Sequence, residues 1–277
     1  MIEKSGGGSH VAPKMKYNEI VKFFPVSVDN FFDNPNSIVE YAKSLPKESS
    51  STGNWPGKRT RPLWEIDEEL NNAILYKILS CYYDLSYQSI NWESSSLQFQ
   101  EIPAFSKNKN DTKNRGWIHF DESERYHADY GGFEVAGLIY LTPDIDPDSG
   151  TSLFTLKQQI DKEFVTYRKQ YVKHLLYKEN YSVDEDYYAK KIKEVEKIFI
   201  EKTRFANIYN RMIMYDINEF HRANSFYNKD GKDARLTLVF FIGGLDAGKY
   251  PLERIREKNC DEFIEYQIMK KITEQGK

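Results

Sequence analysis

Cysteine is nearly absent from this chain: Cys81 and Cys260 are the only two in 277 residues. Two thiols so far apart build no disulfide framework and match no zinc-ligand spacing. Both read as small apolar residues, and a reducing cytoplasm is the expected setting. No apolar run approaches the ~20 residues that a bilayer-spanning helix needs. The N-terminus lacks the basic region and apolar core of a secretory signal. Neither sign of charge dominates: 39 Lys and Arg stand against 42 Asp and Glu, a net charge of -3, so no global basic field favours nucleic acid. Histidine is scarce as well, with five residues, which narrows any search for imidazole ligands.

What is present suits a soluble, β-rich protein. Hydrophobic residues make up 40% and charged residues 29%, and the 20 tyrosines and 17 phenylalanines favour strands and aromatic packing. Residues 1–15 read as a flexible tail because of Ser5-Gly6-Gly7-Gly8-Ser9. Residues 16–277 read as a single domain. His10 lies in the tail and is set aside.

Within the domain, Ile20 to Val28 suits a strand, and Ser37 to Leu45 a short helix capped by Ser37 and ended by Pro46. A breaker-rich loop, Ser49 to Gly57, follows. Arg59 and Arg61 come next and are read as solvated charges, with an anionic ligand as the other reading. Asp67 to Tyr83 carries helical spacing through Leu70, Ile74, Ile78 and Cys81. From Ser96 the period changes to two. Strands are expected near 97–102, 116–121, 135–142, 151–156, 205–209, 211–215 and 235–242, with a turn rich in Asp and Pro at 144–149. Residues 157–202 interrupt this pattern. Phe164, Tyr167, Tyr171 and Leu175, then Ile192, Val195 and Phe199, recur at helical spacing, so a helical insertion is expected there. His174 falls inside it and reads as a surface or packing residue. A last helix is expected near 261–274.

The chemistry is carried by His119-Phe120-Asp121, His221 and Arg235-Leu236-Thr237. Residues two apart on a strand share a face, so His119 and Asp121 point the same way, with Trp117. His221 follows a turn after a strand and suits a third ligand. Two imidazoles and a carboxylate occupy one face of a ferrous ion and leave three positions open. Arg235 opens an apolar strand, where an unpaired charge is expensive. With Thr237 on the same face it suits a carboxylate; a sheet-end arginine pointing into water is the other reading. A second His-x-Asp, His127-Ala128-Asp129, lies among loop residues. It is the alternative metal pair, or else touches substrate. Asp144, Asp146 and Asp148 alternate without completing a calcium-loop pattern and read as solvated turn residues.

Taken with Ala136-Gly137-Leu138-Ile139-Tyr140-Leu141-Thr142-Pro143, Ser149-Gly150-Thr151-Ser152-Leu153, Asn210 to Asp216 and Phe220-His221, these segments resemble the 2-oxoglutarate/Fe(II) oxygenase superfamily. Within it they are most similar to small bacterial and phage members related to prolyl 4-hydroxylases. The resemblance spans residues 97–242 apart from the insertion. It implies an α+β protein with a mostly β core: a double-stranded β-helix, or jelly-roll barrel, over about 97–156 and 203–243, N-terminal supporting helices, and the insertion at 157–202. It implies Fe(II) held by His119, Asp121 and His221. It implies 2-oxoglutarate held by Arg235 with Thr237 and Tyr140, and dioxygen as oxidant. The activity implied is hydroxylation with release of succinate and carbon dioxide. The substrate is left among an amino-acid side chain, a small metabolite or a nucleobase. A non-catalytic, cupin-like jelly-roll binding module and a zinc hydrolase are the alternatives.

Overall fold

The computed structural model describes residues 21–51, 55–118, 132–157, 185–227, 234–257 and 261–275. The elements run β1 (Val26–Val28), α1 (Pro35–Ser44), β2 (Glu48–Ser49), β3 (Lys58–Arg59), α2 (Leu63–Ile66), α3 (Glu68–Leu79), β4 (Ser94–Ile102), β5 (Phe133–Tyr140) and β6 (Thr151–Leu156). They continue with α4 (Glu185–Glu196), β7 (Phe199–Phe205), β8 (Met212–Asp216), β9 (Phe220–Ala223), β10 (Arg235–Gly243), α5 (Pro251–Glu257) and α6 (Asp261–Gln275).

The strands form two antiparallel sheets. The larger has the order β1-β8-β5-β10-β4-β3-β2 and the smaller β7-β6-β9. Strand β10 lies at the centre of the larger sheet, paired over its whole length with β4 and over most of it with β5. Alternation along β10 explains why it is buried on both sides. Leu236, Leu238, Phe240 and Ile242 face a core that includes Leu75 and Ile78 of α3. Arg235, Thr237, Val239 and Phe241 face the other way. On that side Ala136, Tyr140, Ile213 and Tyr215 of the larger sheet pack against Leu153 and Phe205 of the smaller. Two antiparallel sheets in contact, with helices on the outer face of one, make a mostly β core. Among the described residues no ladder joins the two sheets, so a closed barrel is not formed by them.

The helices start where local chemistry caps them. The Asp67 carboxylate accepts from Leu70 N at 2.9 Å, and Glu68 and Glu69 complement the positive end of α3. For α1 the cap is Asn34, which accepts from Ser37 N, rather than Ser37 itself. Pro35 fits the first helical position because its missing N–H would have no partner there. Two further expectations shift. Phe199 does not extend the helical stripe of Ile192: α4 ends at Glu196, and Phe199 opens β7, where its ring meets Phe220 at 4.9 Å. The strand expected at 205–209 is the end of β7 followed by a loop, in which Asn207 N donates to Pro147 O at 2.9 Å. The helical stripe at Phe164 to Leu175, with His174, lies outside the described residues.

One carboxylate ties the N-terminal segment to the sheet. Asp216 Oδ2 accepts from Lys22 N at 2.6 Å and Phe23 N at 3.1 Å, while Oδ1 accepts from Asn218 N at 3.0 Å. Burial pushes its pKa above the ordinary aspartate value, against the pull of those hydrogen bonds.

Gly137 marks the tightest packing in β5. It sits opposite Phe240, and a Cβ there would overlap the Phe240 ring and the Ile213 carbonyl. Gly137→Ala is therefore expected to cost about 1–3 kcal/mol through overpacking, read as a lower urea midpoint with unchanged slope. Among the described residues no helix is long and apolar enough to cross a membrane.

Candidate active site

The inward face of the larger sheet gathers the polar residues. Thr237 is the direct cross-strand partner of Tyr140 on β5 and of Gln100 on β4, so the three side chains stand in one row. Arg235 lies one pleat away on the same face. Its guanidinium carbon is 5.3 Å from the centroid of the Tyr140 ring, a cation–π separation. The Tyr140 hydroxyl donates to Thr151 Oγ1 of β6 at 2.8 Å, a bond that spans the two sheets.

Arg235 is 2% exposed, yet its Nε and Nη1 have no hydrogen-bond partner among the described residues. Burial pushes its pKa below the ordinary guanidinium value, with partial relief from Tyr140 and Tyr215. An arginine retains its proton even so. The site therefore holds a desolvated cation with donors to spare. Leaving such groups unpaired costs several kcal/mol, about the largest single polar penalty a core carries.

His221 enters from the smaller sheet. It pairs with Leu153, which places its ring on the inward face. Its Nδ1 is 2.8 Å from Glu219 O, and a carbonyl oxygen can only accept. Nδ1 therefore carries a proton, and in the neutral ring the lone pair is on Nε2. The Tyr215 ring lies beside the imidazole at 4.9 Å between centroids. Because Tyr215 also acts electrostatically on Arg235, it links the imidazole to the cation. The neighbouring Arg222 points to the outer face, where it pairs with Glu196 of α4 and lies over Phe154.

The segment that carries the His119 motif approaches β9 from the other side. Gly116 N donates to Ala223 O at 2.9 Å, and Phe226 N donates to Asn114 O at 2.6 Å. A Cβ at Gly116 would crowd the Ala223 backbone, so this close approach requires glycine. Trp117 and Ile118 are both 3% exposed. The regular strand expected from 116 onward is not formed at 116–118, which lie beside β9 through the bond from Gly116 N to Ala223 O. His119, Asp121, His127 and Asp129 lie outside the described residues. Among the described residues no group of three or more His, Cys, Asp and Glu comes together as a metal set.

Four of the residues singled out from sequence thus share one interior: His221, Arg235, Thr237 and Tyr140. Sequence reasoning missed Tyr215, Thr151 and Gln100. Tyr215 lies on a strand read from the sequence, but alternation alone does not say which face looks inward. The solvated reading of Arg59 is also corrected. It lies on β3, half-buried, with Nη2 3.3 Å from Gln100 Oε1. Arg61 is exposed and pairs with Glu65 at 3.4 Å.

Tyr140→Phe removes the bond between the sheets. It is expected to cost about 1 kcal/mol in thermal unfolding, the usual net worth of one hydrogen bond.

Known proteins resemble the chain in overall structure. A prolyl hydroxylase from Trichoplax adhaerens, in complex with a hypoxia inducible factor oxygen degradation domain peptide fragment, aligns at a TM-score of 0.44 and 11% identity, covering 79% of this chain and 83% of the other. A Pseudomonas putida prolyl-4-hydroxylase aligns at 0.44 and 10% identity, covering 79% and 91%. HygX from Streptomyces hygroscopicus, with nickel and 2-oxoglutarate bound, aligns at 0.42 and 13% identity, covering 81% and 84%. No curated protein matches the sequence. Residues 24–242 match the model of the family described as "Family of unknown function (DUF6445)", and the chain belongs to that family.

Proposed function

We propose that the chain is an Fe(II)- and 2-oxoglutarate-dependent oxygenase with a jelly-roll core, which hydroxylates an organic substrate and releases succinate and carbon dioxide. The observation that carries this reading is the Arg235 guanidinium. It is sealed in the protein with Nε and Nη1 unmatched among the described residues. The distal carboxylate of 2-oxoglutarate would supply both the missing acceptor and the missing charge. Thr237, two residues along the same face, would donate to the same carboxylate.

Tyr140 would assist through a proton switch. Its hydroxyl now donates to Thr151. Rotation about the two C–O bonds reverses that bond, so that Thr151 donates and the phenol proton turns to the ligand. Tyr140→Phe is then expected to raise the KM for 2-oxoglutarate about three- to ten-fold, in line with one hydrogen bond.

His221 fits a metal ligand because its Nδ1 proton is held by Glu219 O, which fixes the tautomer and aims Nε2. His119 and Asp121 would complete the set; the chain reaches His119 one residue after the buried Ile118. His127 and Asp129 would then meet substrate. Bound iron, with 2-oxoglutarate and dioxygen, supplies the oxidising power to hydroxylate an unactivated C–H bond. The protein's own part is to hold the acid, fix the imidazole and keep water from the interior of the two sheets. Substrates of three classes suit this chemistry: an amino-acid side chain, a small metabolite or a nucleobase.

The direct test adds Fe(II) and then 2-oxoglutarate to the metal-free protein without oxygen. A weak visible charge-transfer band is expected, followed by succinate on admitting air. A protein that shows neither is a binding module, and one that hydrolyses esters with zinc but makes no succinate is a hydrolase.

A further inference from the structure

The chain passes from the larger sheet to the smaller in a single turn. Strand β8 ends at Asp216 and β9 opens at Phe220, so residues 217–219 make the crossing. The turn closes through Glu219 N, which donates to Asp216 O at 2.9 Å. The Asp216 carboxylate folds over the same residues. Its Oδ1 accepts from Asn218 N and Asn218 Nδ2, both at 3.0 Å, an Asx turn laid on the backbone turn. Its Oδ2 turns to the N-terminal segment and accepts from Lys22 N at 2.6 Å and Phe23 N at 3.1 Å. The side chain that gathers these donors is 1% exposed. The segment it holds is itself fixed. Phe23 is fully buried, with the Tyr82 and Tyr250 rings at 5.1 and 5.4 Å, and Lys22 O accepts from Leu252 N at 3.2 Å. What the turn presents is the Glu219 carbonyl, the acceptor for His221 Nδ1 at 2.8 Å. Glu219 is tethered at its amide by Asp216 O and at its side chain by Lys202 of β7 at 2.5 Å, which leaves its carbonyl little room to turn.

We propose that Asp216 is a positioning residue for His221: its carboxylate holds the turn that aims the Glu219 carbonyl at Nδ1, and the backbone of Lys22 and Phe23 holds the carboxylate. Its bearing on iron rests on the oxygenase reading, whereas its effect on the imidazole does not. An apolar residue at 216 would leave the N–H groups of Lys22, Phe23 and Asn218 without this acceptor, in a place that water does not reach. The orientation of one candidate metal ligand thus depends on a segment 194 residues earlier in the chain than the carboxylate it holds. Which ring nitrogen of a histidine offers its lone pair is set by the hydrogen bond that the other nitrogen makes, so loosening the turn acts on Nε2 without touching it.

The test reads the imidazole before any activity. In metal-free, full-length protein at alkaline pH, long-range proton–nitrogen correlations of the histidine rings separate the two tautomers, and the His221 signal is the one lost in His221→Gln. Wild type is expected to show His221 protonated at Nδ1. Asp216→Asn keeps the shape but sets an amide NH2 against one pair of N–H donors, so His221 is expected to become a mixture of tautomers. Fe(II) affinity, measured by equilibrium dialysis without oxygen, is expected to fall about ten-fold, the lower end for groups behind a metal ligand. Tyr82→Phe is the control for simple loosening. It removes the bond from the Tyr82 hydroxyl to Phe24 O at 2.6 Å, in the same N-terminal segment, and spares the turn. It is expected to unfold at lower urea with the His221 signal and the iron affinity of the wild type. A folded Asp216→Asn with the wild-type tautomer overturns the proposal, and so does a Tyr82→Phe that shifts the tautomer equally. A wild type that binds no Fe(II) would count against the oxygenase reading, and the tautomers would still decide the role of Asp216. If Asp216→Asn does not fold, Asp216→Ser keeps a single hydroxyl acceptor; an unchanged tautomer in that variant overturns the assignment equally.

Discussion

Arg235→Met is expected to abolish 2-oxoglutarate binding while making the protein more stable. These two outcomes seldom come together, because most buried substitutions that harm function also harm folding. Here they separate because of what the arginine lacks. Its charge is desolvated and two of its donors have no partner among the described residues, so the fold bears a cost that methionine, of similar length, does not. The cation–π contact with Tyr140 offsets about 1 kcal/mol of that cost. A net gain of about 1 kcal/mol or more is expected, or ~2–4 °C in melting temperature for a domain of this size. In binding, the lost carboxylate contact costs about 2–5 kcal/mol, a weakening of at least thirty-fold. Saturating 2-oxoglutarate should raise the melting temperature of the wild type and leave that of Arg235→Met where it was. A variant that melts several degrees lower and still binds 2-oxoglutarate would make Arg235 a structural residue and remove the main support for the oxygenase reading.

His221→Ala is expected to lose iron-dependent succinate release by at least about a hundred-fold, because even groups behind a metal ligand carry about 10–100-fold effects. The imidazole is anchored through Nδ1 to Glu219 O, so the loss reflects the missing Nε2 and not a wandering ring. His119→Ala should match it. His127→Ala should retain iron binding within about three-fold, although turnover of a true substrate can fall. Equilibrium dialysis of Fe(II) against the three variants separates the roles. Iron lost with His127→Ala and kept with His119→Ala would move the metal to the second His-x-Asp.

Much of this arrangement was legible in the sequence. Arg235 to Ile242 read as a strand, and β10 runs Arg235–Gly243. The period of two placed Arg235 and Thr237 on one face before any partner strand was known. Thr151 to Leu156 is likewise β6, and the helical stripe of Ile74 and Ile78 is the buried side of α3. What failed had nonlocal causes. Phe199 continues the spacing of α4, but it opens β7 as the ladder partner of Leu156 and packs its ring against Phe154 and Phe220, contacts that local spacing does not reveal. Arg59 looked solvated because its neighbours in sequence are polar. Its real neighbours are Gln100 and Trp55, and the first arrives through strand pairing. Tyr215 went unnoticed for the same reason: periodicity gives two faces but does not label them. Both His-x-Asp pairs, His119/Asp121 and His127/Asp129, fall outside the described residues.

Strand β10 has one more consequence, for how the chain finds its fold. Its even-numbered residues belong to the layer against α3 and its odd-numbered ones to the layer against the smaller sheet. A slip of one position would swap the layers and drive the Arg235 charge into oil-like surroundings among leucines and isoleucines. Misaligned pairings are thereby discouraged by the buried charge itself. Variants that neutralise Arg235 should fold to a firmer end state by a less discriminating route, with more misregistered, aggregation-prone product on rapid dilution from denaturant.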